Sequence, residues 1–154
     1  MTKTNVKDIK QLREKTGARM MDCKEALEKA QGDFDQATKL VERAGLARAE
    51  KKLDRETMSG LIMSYVHNNG QIGSMLEIQC ETDFVAKNEE FKAMAKDIAM
   101  QITAMDPENI EELMSQEFIK DPSMTVETLI KSLSGKVGEK MEIKRFIRYK
   151  LGQQ

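Results

Sequence analysis

The residues best suited to chemistry or to partner binding lie in one short segment, Glu81-Thr82-Asp83-Phe84. Apolar residues alternate in the run that ends at Cys80, so the segment occupies a corner where a predicted strand gives way to a helix. Its two carboxylates lack the companions typical of a glycosidase or a metal site. Phe84 allows two interpretations: a lone phenylalanine most often packs on its own core, whereas a rigid exposed aromatic ring can anchor a partner.

Other candidate catalytic groups are isolated in the sequence. His67 is the only histidine, and no oriented partner for a catalytic base is evident beside it. Cys80 could be a reactive thiol, although a buried cysteine at a strand end is the commoner case. Gly135-Lys136-Val137-Gly138-Glu139 lacks the Gly-x-x-x-x-Gly-Lys-Ser/Thr spacing of a phosphate-binding loop, and we interpret it as a loop that leads into the final strand. The sequence predicts no catalytic residue, no metal site and no cofactor.

Composition limits the class of protein. The chain has 154 residues, enough for one domain or for a small module joined to a modest core. Its 25 Lys and Arg residues nearly balance 26 Asp and Glu residues, which argues against a dedicated nucleic-acid binder. No apolar run approaches the roughly 20 residues of a membrane helix, the N-terminus lacks a secretory signal, and two cysteines make no disulfide framework. We therefore expect a cytoplasmic protein that binds neither nucleic acid nor membranes.

Residues 1–46 are predicted to form a three-helix module. Asn5 and Asp33 are residue types that cap the starts of helices, and Gly45 is expected to end the third helix. Between these points, apolar residues recur at helical spacing. The predicted inward positions are Val6, Ile9, Leu12, Met20, Cys23, Leu27, Ala30, Phe34, Ala37, Leu40, Val41 and Ala44.

Residues 47–58 are charged and predict a helical or extended linker to a second unit, residues 59–154. In that unit, Asn68-Asn69-Gly70 lies between two apolar runs, which is typical of a hairpin with a type I′ turn. Asn88 and Thr125 are expected to cap two amphipathic helices that follow the hairpin.

The last predicted element is a strand with one apolar face, and residues 108–120 before it contain a short helix at most. The strand face comprises Met141, Ile143, Ile147, Tyr149 and Leu151. Together the elements predict an α+β fold, in which a three-helix module precedes a core of a three-stranded antiparallel sheet packed with helices.

Two long motifs carry a family resemblance. The segments Thr16–Leu27 (TGARMMDCKEAL) and Glu81–Asn88 (ETDFVAKN) resemble the two signatures of the elongation factor Ts family, in the same order and at a plausible separation. Gly135–Glu139 and Arg145-Phe146 extend the likeness toward the C-terminus. The resemblance implies that the N-terminal module is of the ubiquitin-associated type.

The resemblance also implies a function. Members of the family are guanine nucleotide exchange factors of the translational GTPase elongation factor Tu, and they perform no covalent chemistry. Asp83 and Phe84 match the family residues that insert beside the Mg²⁺ site of that GTPase, with Thr82 and Val85 in the same motif. The ring is then expected to wedge between helices of the partner, and GDP leaves.

A second contact region is implied on the N-terminal module. Arg13 matches a family contact position on the first helix, and Met20 and Met21 lie in the region that touches the nucleotide-binding domain. The two methionines are adjacent and therefore point about 100° apart on a helix, so only one can lie squarely in the core. We expect the outward one to dock on the partner. Arg19 stands where the family commonly has glycine, so the local turn could differ.

The chain also departs from the family between residues 106 and 124, where other members carry more helix. Short members replace the missing half by dimerising through the core sheet, and we expect a homodimer here with the final strand as a candidate interface. The alternative function is a ubiquitin-associated-like adaptor that binds another protein without exchange activity. The string Thr82-Asp83-Phe84-Val85 favours exchange, because an adaptor has no need of it.

Overall fold

The computed structural model describes residues 4–153 and confirms the predicted α+β fold class. Residues 1–3 and 154, which the predicted domains include, lie outside the described residues. The helices are α1 (Val6–Thr16), α2 (Met20–Lys29), α3 (Phe34–Glu50), α4 (Asp83–Ala86), α5 (Glu89–Met105), α6 (Ile110–Ser115) and α7 (Val126–Val137). The strands are β1 (Ser59–Val66), β2 (Ile72–Cys80), β3 (Glu117–Phe118), β4 (Asp121–Thr125) and β5 (Met141–Lys150).

Helices α1 to α3 form a small core of their own. The side chains of Asn5 and Asp33 accept hydrogen bonds from backbone N–H groups in the first turns of α1 and α3, so both predicted caps are confirmed. Val6, Met20 and Ala44 were predicted to point inward but are exposed. Val6 and Met20 are the first residues of their helices, where the neighbouring helices leave them uncovered. The buried residues are Ile9, Leu12, Ala18, Cys23, Ala26, Leu27, Ala30, Ala37 and Val41.

Helix α3 does not end at Gly45, as the sequence predicted, but continues to Glu50. Its second half is supported by a close crossing with α7. A Cβ atom added to Gly135 of α7 would lie 2.1 Å from the carbonyl oxygen of Gly45, so the two backbones meet with no side chain between them. The predicted linker therefore begins as helix, and Lys52 and Thr57 within it are buried against the rest of the protein.

Strands β1, β2 and β5 form the predicted antiparallel sheet, with β2 in the centre. Alternate residues of β2 from Ser74 to Cys80 are buried, because successive side chains point to opposite faces of a sheet. Helix α5 covers this face and fills the interior. The residues that it buries there include Phe91, Met94, Ala95, Ile98, Ala99 and Ile102.

Strand β5 contains a bulge that the sequence analysis did not predict. Glu77 of β2 pairs with Arg145, whereas the next residue, Ile78, pairs with Ile143. Lys144 is therefore an extra residue in β5. One additional residue moves every later side chain of the strand to the opposite face of the sheet.

Because of the bulge, the predicted apolar face of β5 is wrong: its residues lie on two different faces of the sheet. Before it, Met141 and Ile143 are buried in the core. Beyond it, Phe146 packs against the core instead, and the remaining residues of the predicted face are exposed on the outer side of the sheet. These exposed residues are Ile147, Tyr149 and Leu151.

The loop between β1 and β2 is longer than the predicted two-residue turn. The N–H of His67 donates to the carbonyl of Ile72 at 2.9 Å, and the N–H of Gly70 donates to the carbonyl of His67 at 2.7 Å. Gly70 has a φ of 71°, whereas Asn68 and Asn69 have negative φ, so the turn is not type I′.

Two other parts of the core differ in detail from the prediction. Residues 135–137 form the last turn of α7 rather than a loop, and Gly138 ends the helix with a φ of 84°. Residues 108–120 contain the short helix α6, as predicted, and an unpredicted hairpin of β3 and β4 follows it. None of the helices in residues 4–153 combines the length and apolar character that a membrane crossing requires.

The geometry of the crossing between α3 and α7 predicts opposite effects on stability when each of its two glycines is replaced by alanine. Gly135→Ala should destabilise the protein by about 1–3 kcal/mol, because the new Cβ atom would collide with backbone that cannot rotate away. The matched control is Gly45→Ala, where a Cβ atom would meet nothing within 4 Å. That substitution should stabilise the helix by about 0.5–1 kcal/mol. Urea unfolding monitored by circular dichroism measures both, and equal effects would contradict the crossing.

Candidate partner-binding site

The corner after β2 places Phe84 in solvent. The chain leaves the sheet at Cys80 and turns at once into the four-residue helix α4. Phe84 is the second residue of that helix, and it is 89% exposed, the highest value among the large apolar side chains that the structure describes. The ring therefore does not pack on its own core, which leaves the interpretation as an anchor for a partner.

Asp83 lies beside the ring and is also exposed. Its carboxylate is 3.2 Å from the ammonium of Lys87, one turn along the chain. An exposed pair of this kind holds its side chains only weakly. The negative charge next to Phe84 is therefore available to a partner.

Thr82 and Val85 have supporting positions in the same motif. Val85 is half-buried and packs against the core together with the buried Ala86. Thr82 is the N-cap residue of α4, but its side chain makes no bond to the helix. Instead, the N–H and the hydroxyl of Thr82 both donate to the carboxylate of Glu139, at 3.0 Å and 2.6 Å. The motif thus divides into Asp83 and Phe84, which are free to meet a partner, and Thr82 and Val85, which attach the corner to the rest of the protein.

Glu81 completes the attachment of the corner to the segment after α7. Its carboxylate accepts a hydrogen bond from the N–H of Lys140 at 2.6 Å and lies 3.3 Å from the guanidinium of Arg55. Glu139 was not among the predicted site residues, because its spacing in the sequence does not indicate a contact with Thr82. The available signal was its place in Gly135–Glu139, one of the segments that carry the family resemblance.

Cys80 is an inert neighbour of this corner. The thiol is buried and donates to the carbonyl of Thr82 at 3.2 Å. Burial, and then the nearby charge of Glu139, raise the pKa of Cys80 to about 11. A protonated, enclosed thiol is a poor nucleophile, so Cys80 has a structural role here.

The second predicted contact region, on α1 and α2, is also on the surface. Met20 and Met21 are 43% and 61% exposed, so neither fills the module's core, although one was expected to. Arg13 on α1 is exposed as well. Together the three residues could contact another protein through apolar and cationic groups.

Arg19 is exposed, and its side chain extends toward the C-terminal end of α7. Its guanidinium lies 3.3 Å from the position that a Cβ atom on Gly138 would take. Lys52 donates to the carbonyl of Ser134 at 3.3 Å, and Arg55 donates to the carbonyl of Gly138 at 3.4 Å. Cations are favoured at the C-terminal end of a helix, and these three surround that end of α7. Burial, and then the charge of Arg55, lower the pKa of Lys52.

The outer face of the sheet carries an exposed apolar surface, here called the outer sheet patch. Met75 pairs with Ile147, and Gly73 lies between Val66 and Tyr149 in adjacent strands. Because Gly73 has no side chain, a groove runs across the sheet at this point. The patch consists of Ile62, Val66, Met75, Ile147, Tyr149 and Leu151.

Other groups in the described residues do not form a chemical site. His67 is exposed at the hairpin, and its ring nitrogen lies 3.5 Å from the hydroxyl of Tyr65. Within residues 4–153, no group of three or more His, Cys, Asp or Glu side chains is arranged to hold a metal ion.

Comparison with known proteins gives consistent matches. A family model described as Elongation factor TS matches residues 81–154. The elongation factor Ts of Desulforamulus reducens is 37% identical over 198 aligned residues, which cover 99% of this chain and 91% of that protein. The protein of the same name from Carboxydothermus hydrogenoformans is 40% identical over 94% of this chain and 88% of its own length. The one from Aquifex aeolicus is 46% identical over 94% of this chain and 52% of its own.

The alignments are longer than the chain itself. Those with the first two relatives span 198 and 190 positions, whereas the chain has 154 residues. These relatives therefore contain internal residues that have no counterpart here.

The environment of Cys80 predicts slow chemical labelling. At pH 8 the thiol should react with iodoacetamide at least about a hundredfold more slowly in the native protein than in urea, because its pKa lies far above the usual value of about 8.5. The native rate should rise as the pH approaches 11, where the thiolate forms. Mass spectrometry of the peptide that contains Cys80 measures both rates. Equal rates in buffer and in urea would contradict the described burial.

Proposed function

Because the chain belongs to the elongation factor Ts family of translation elongation factors, we propose that it is the guanine nucleotide exchange factor of a cytoplasmic elongation factor Tu. The observation that carries the proposal is the 89% exposure of Phe84 beside the exposed carboxylate of Asp83. Exposing a large apolar ring to water is unfavourable in free energy, and a partner that encloses the ring removes that cost. No covalent chemistry is required.

In the proposed mechanism, Phe84 enters the partner beside its Mg²⁺ site. The ring wedges between helices of the GTPase and displaces groups that organise the metal ion, and Asp83 follows it into the same region. The phosphate-binding loop then relaxes and GDP leaves. The factor acts by stabilising the nucleotide-free conformation, and GTP binding later releases it.

One ring cannot supply the whole effect. Reversing a two-state equilibrium from mostly one form to mostly the other takes roughly 5.5 kcal/mol of differential affinity, whereas burying a phenylalanine contributes about 1.5–3 kcal/mol. The remainder must come from a second contact. Arg13, Met20 and Met21 are the proposed source, since all three are exposed on the N-terminal module.

The packing of the protein supports simultaneous use of both regions. Helix α3 of the N-terminal module crosses α7 of the core at Gly45 and Gly135, and an ion pair of 3.6 Å joins Glu50 to Lys131 on the same two helices. A partner that binds both regions therefore does not have to order a loose tether. Such preorganisation converts more of the contact energy into affinity.

Phe84→Ala tests the wedge. We expect GDP release at saturating factor to slow by about tenfold or more, because the lost burial energy corresponds to that factor in rate. The melting temperature should stay unchanged, since the ring contacts little of its own protein. The measurement is stopped-flow release of fluorescent GDP from elongation factor Tu.

Ile119→Ala is the matched control for that experiment. Ile119 is an exposed apolar residue on the turn between β3 and β4 and belongs to neither proposed contact region, so its loss should leave release unchanged. Wild-type release rates from Phe84→Ala would contradict the wedge. Binding of elongation factor Tu by the wild-type protein without any acceleration would instead favour the adaptor alternative.

We further propose that two copies associate through the outer sheet patch. The patch is apolar at one end, whereas the other end of the same face carries ion pairs, Glu77 with Arg145 at 2.6 Å and Glu142 with Lys144 at 2.9 Å. An apolar area bordered by charges is typical of an interaction surface. Relatives have internal residues that this chain lacks. Their absence leaves room for a second copy to complete the assembly.

Ile147→Glu tests the dimer. A charge in the patch should shift the protein from dimer to monomer at micromolar concentration, because the buried charge would have no partner. Analytical ultracentrifugation gives the masses. Met105→Glu, which places the same charge at the exposed end of α5, should leave the dimer intact. A wild-type protein that sediments as a monomer would contradict this part of the proposal.

A further inference from the structure

We infer that Glu139 is a positioning residue for nucleotide exchange, which acts by holding Thr82 so that Phe84 stands in solvent. The inference rests on the proposed exchange function. Glu139 is only 9% exposed. One carboxylate oxygen accepts hydrogen bonds from the N–H of Thr82 at 3.0 Å and from its hydroxyl at 2.6 Å, and the other oxygen lies 3.0 Å from the same hydroxyl.

The helix that carries Phe84 needs an external support. Helix α4 has four residues, and so short a helix does not persist on its own because nucleation is unfavourable. Its N-cap residue, Thr82, gives its hydroxyl to Glu139 rather than to the helix. The direction in which α4 leaves the sheet is therefore fixed by a residue 57 positions away in the chain.

Glu139 is itself held firmly. Gly138, with a φ of 84°, ends α7 and turns the chain toward the corner. The hydroxyl of Ser134 donates to the carbonyl of Glu139 at 2.5 Å. The adjacent N–H of Lys140 donates back to Glu81 at 2.6 Å. Each segment therefore donates to the other: Thr82 donates to Glu139, and Lys140 donates to Glu81.

The charge of Glu139 is not needed for an ion pair. In residues 4–153, no Lys, Arg or His nitrogen lies within 4 Å of its carboxylate, whose only hydrogen-bond donors are those of Thr82. A buried carboxylate without a cation is costly to retain. Retention of such a group is explained when it fixes one geometry in preference to others, and the geometry here is that of the corner.

The test is a set of GDP-release rates with elongation factor Tu. Glu139→Ala should lower the maximal rate about tenfold, while the concentration for half-maximal rate changes by about twofold or less, because the N-terminal contacts remain. Glu139→Gln should restore the rate to within about threefold of wild type, since its amide oxygen still accepts from Thr82. Full-rate release from a folded Glu139→Ala protein would overturn the inference.

The double variant separates positioning from an independent contact. If Glu139 acts only through the ring, Glu139→Ala combined with Phe84→Ala should release GDP no more slowly than Phe84→Ala alone. A multiplied loss in the double variant would overturn the inference. If Glu139→Ala fails to fold, Thr82→Val removes the hydroxyl bond but keeps the N–H bond to Glu139, and it should lower the maximal rate to a smaller extent.

A measurement on the free protein keeps the inference separate from the proposed function. Amide hydrogen exchange of residues 83–87 should be faster in Glu139→Ala than in wild type, while the amides of α5 stay equally protected. Unchanged exchange at 83–87 would overturn the positioning role. If wild-type protein fails to accelerate GDP release, the proposed function is wrong, and the exchange data still decide whether Glu139 holds the corner.

Discussion

The contact between the backbones of α3 and α7 is the constraint on which the arrangement of this protein depends. The helices can approach this closely only because α7 has no side chain at Gly135, where a Cβ atom would lie 2.1 Å from the carbonyl oxygen of Gly45. The crossing joins the three-helix module to the sheet-containing core, and cations from the module and the linker gather at the C-terminal end of α7. Helix α7 therefore connects the part of the protein that carries one exposed contact region to the part that carries the other.

The corner at residues 81–84 exposes one large side chain on a helix of only four residues. The sheet delivers the chain at Cys80, and hydrogen bonds from the segment after α7 fix the backbone. The ring itself contributes almost nothing to the stability of its own fold. Stability and binding are therefore separable at this site, which is the arrangement expected of a surface that a partner must enclose.

Much of the fold follows from local signals, and the exceptions have a common cause. Caps at Asn5, Asp33, Asn88 and Thr125 were predicted because a single side chain bonds its own helix end. Helix α3 was wrongly predicted to end at Gly45, because its continuation is supported by α7, ninety positions away in the chain. The bulge at Lys144 was missed because it depends on the register with β2. In the site, the motif pointed to Phe84, but its support from Glu139 is a contact between distant segments that no spacing reveals.

The bulge at Lys144 divides the last strand between two environments. The first half of β5 belongs to the interior of its own subunit, so a change of volume at Ile143 disturbs the packing of the core and must be compensated there. The second half has no such obligation at Ile147 or Tyr149. Those positions are constrained instead by the surface that covers them, so the pattern of substitution among relatives should change along this one strand at Lys144.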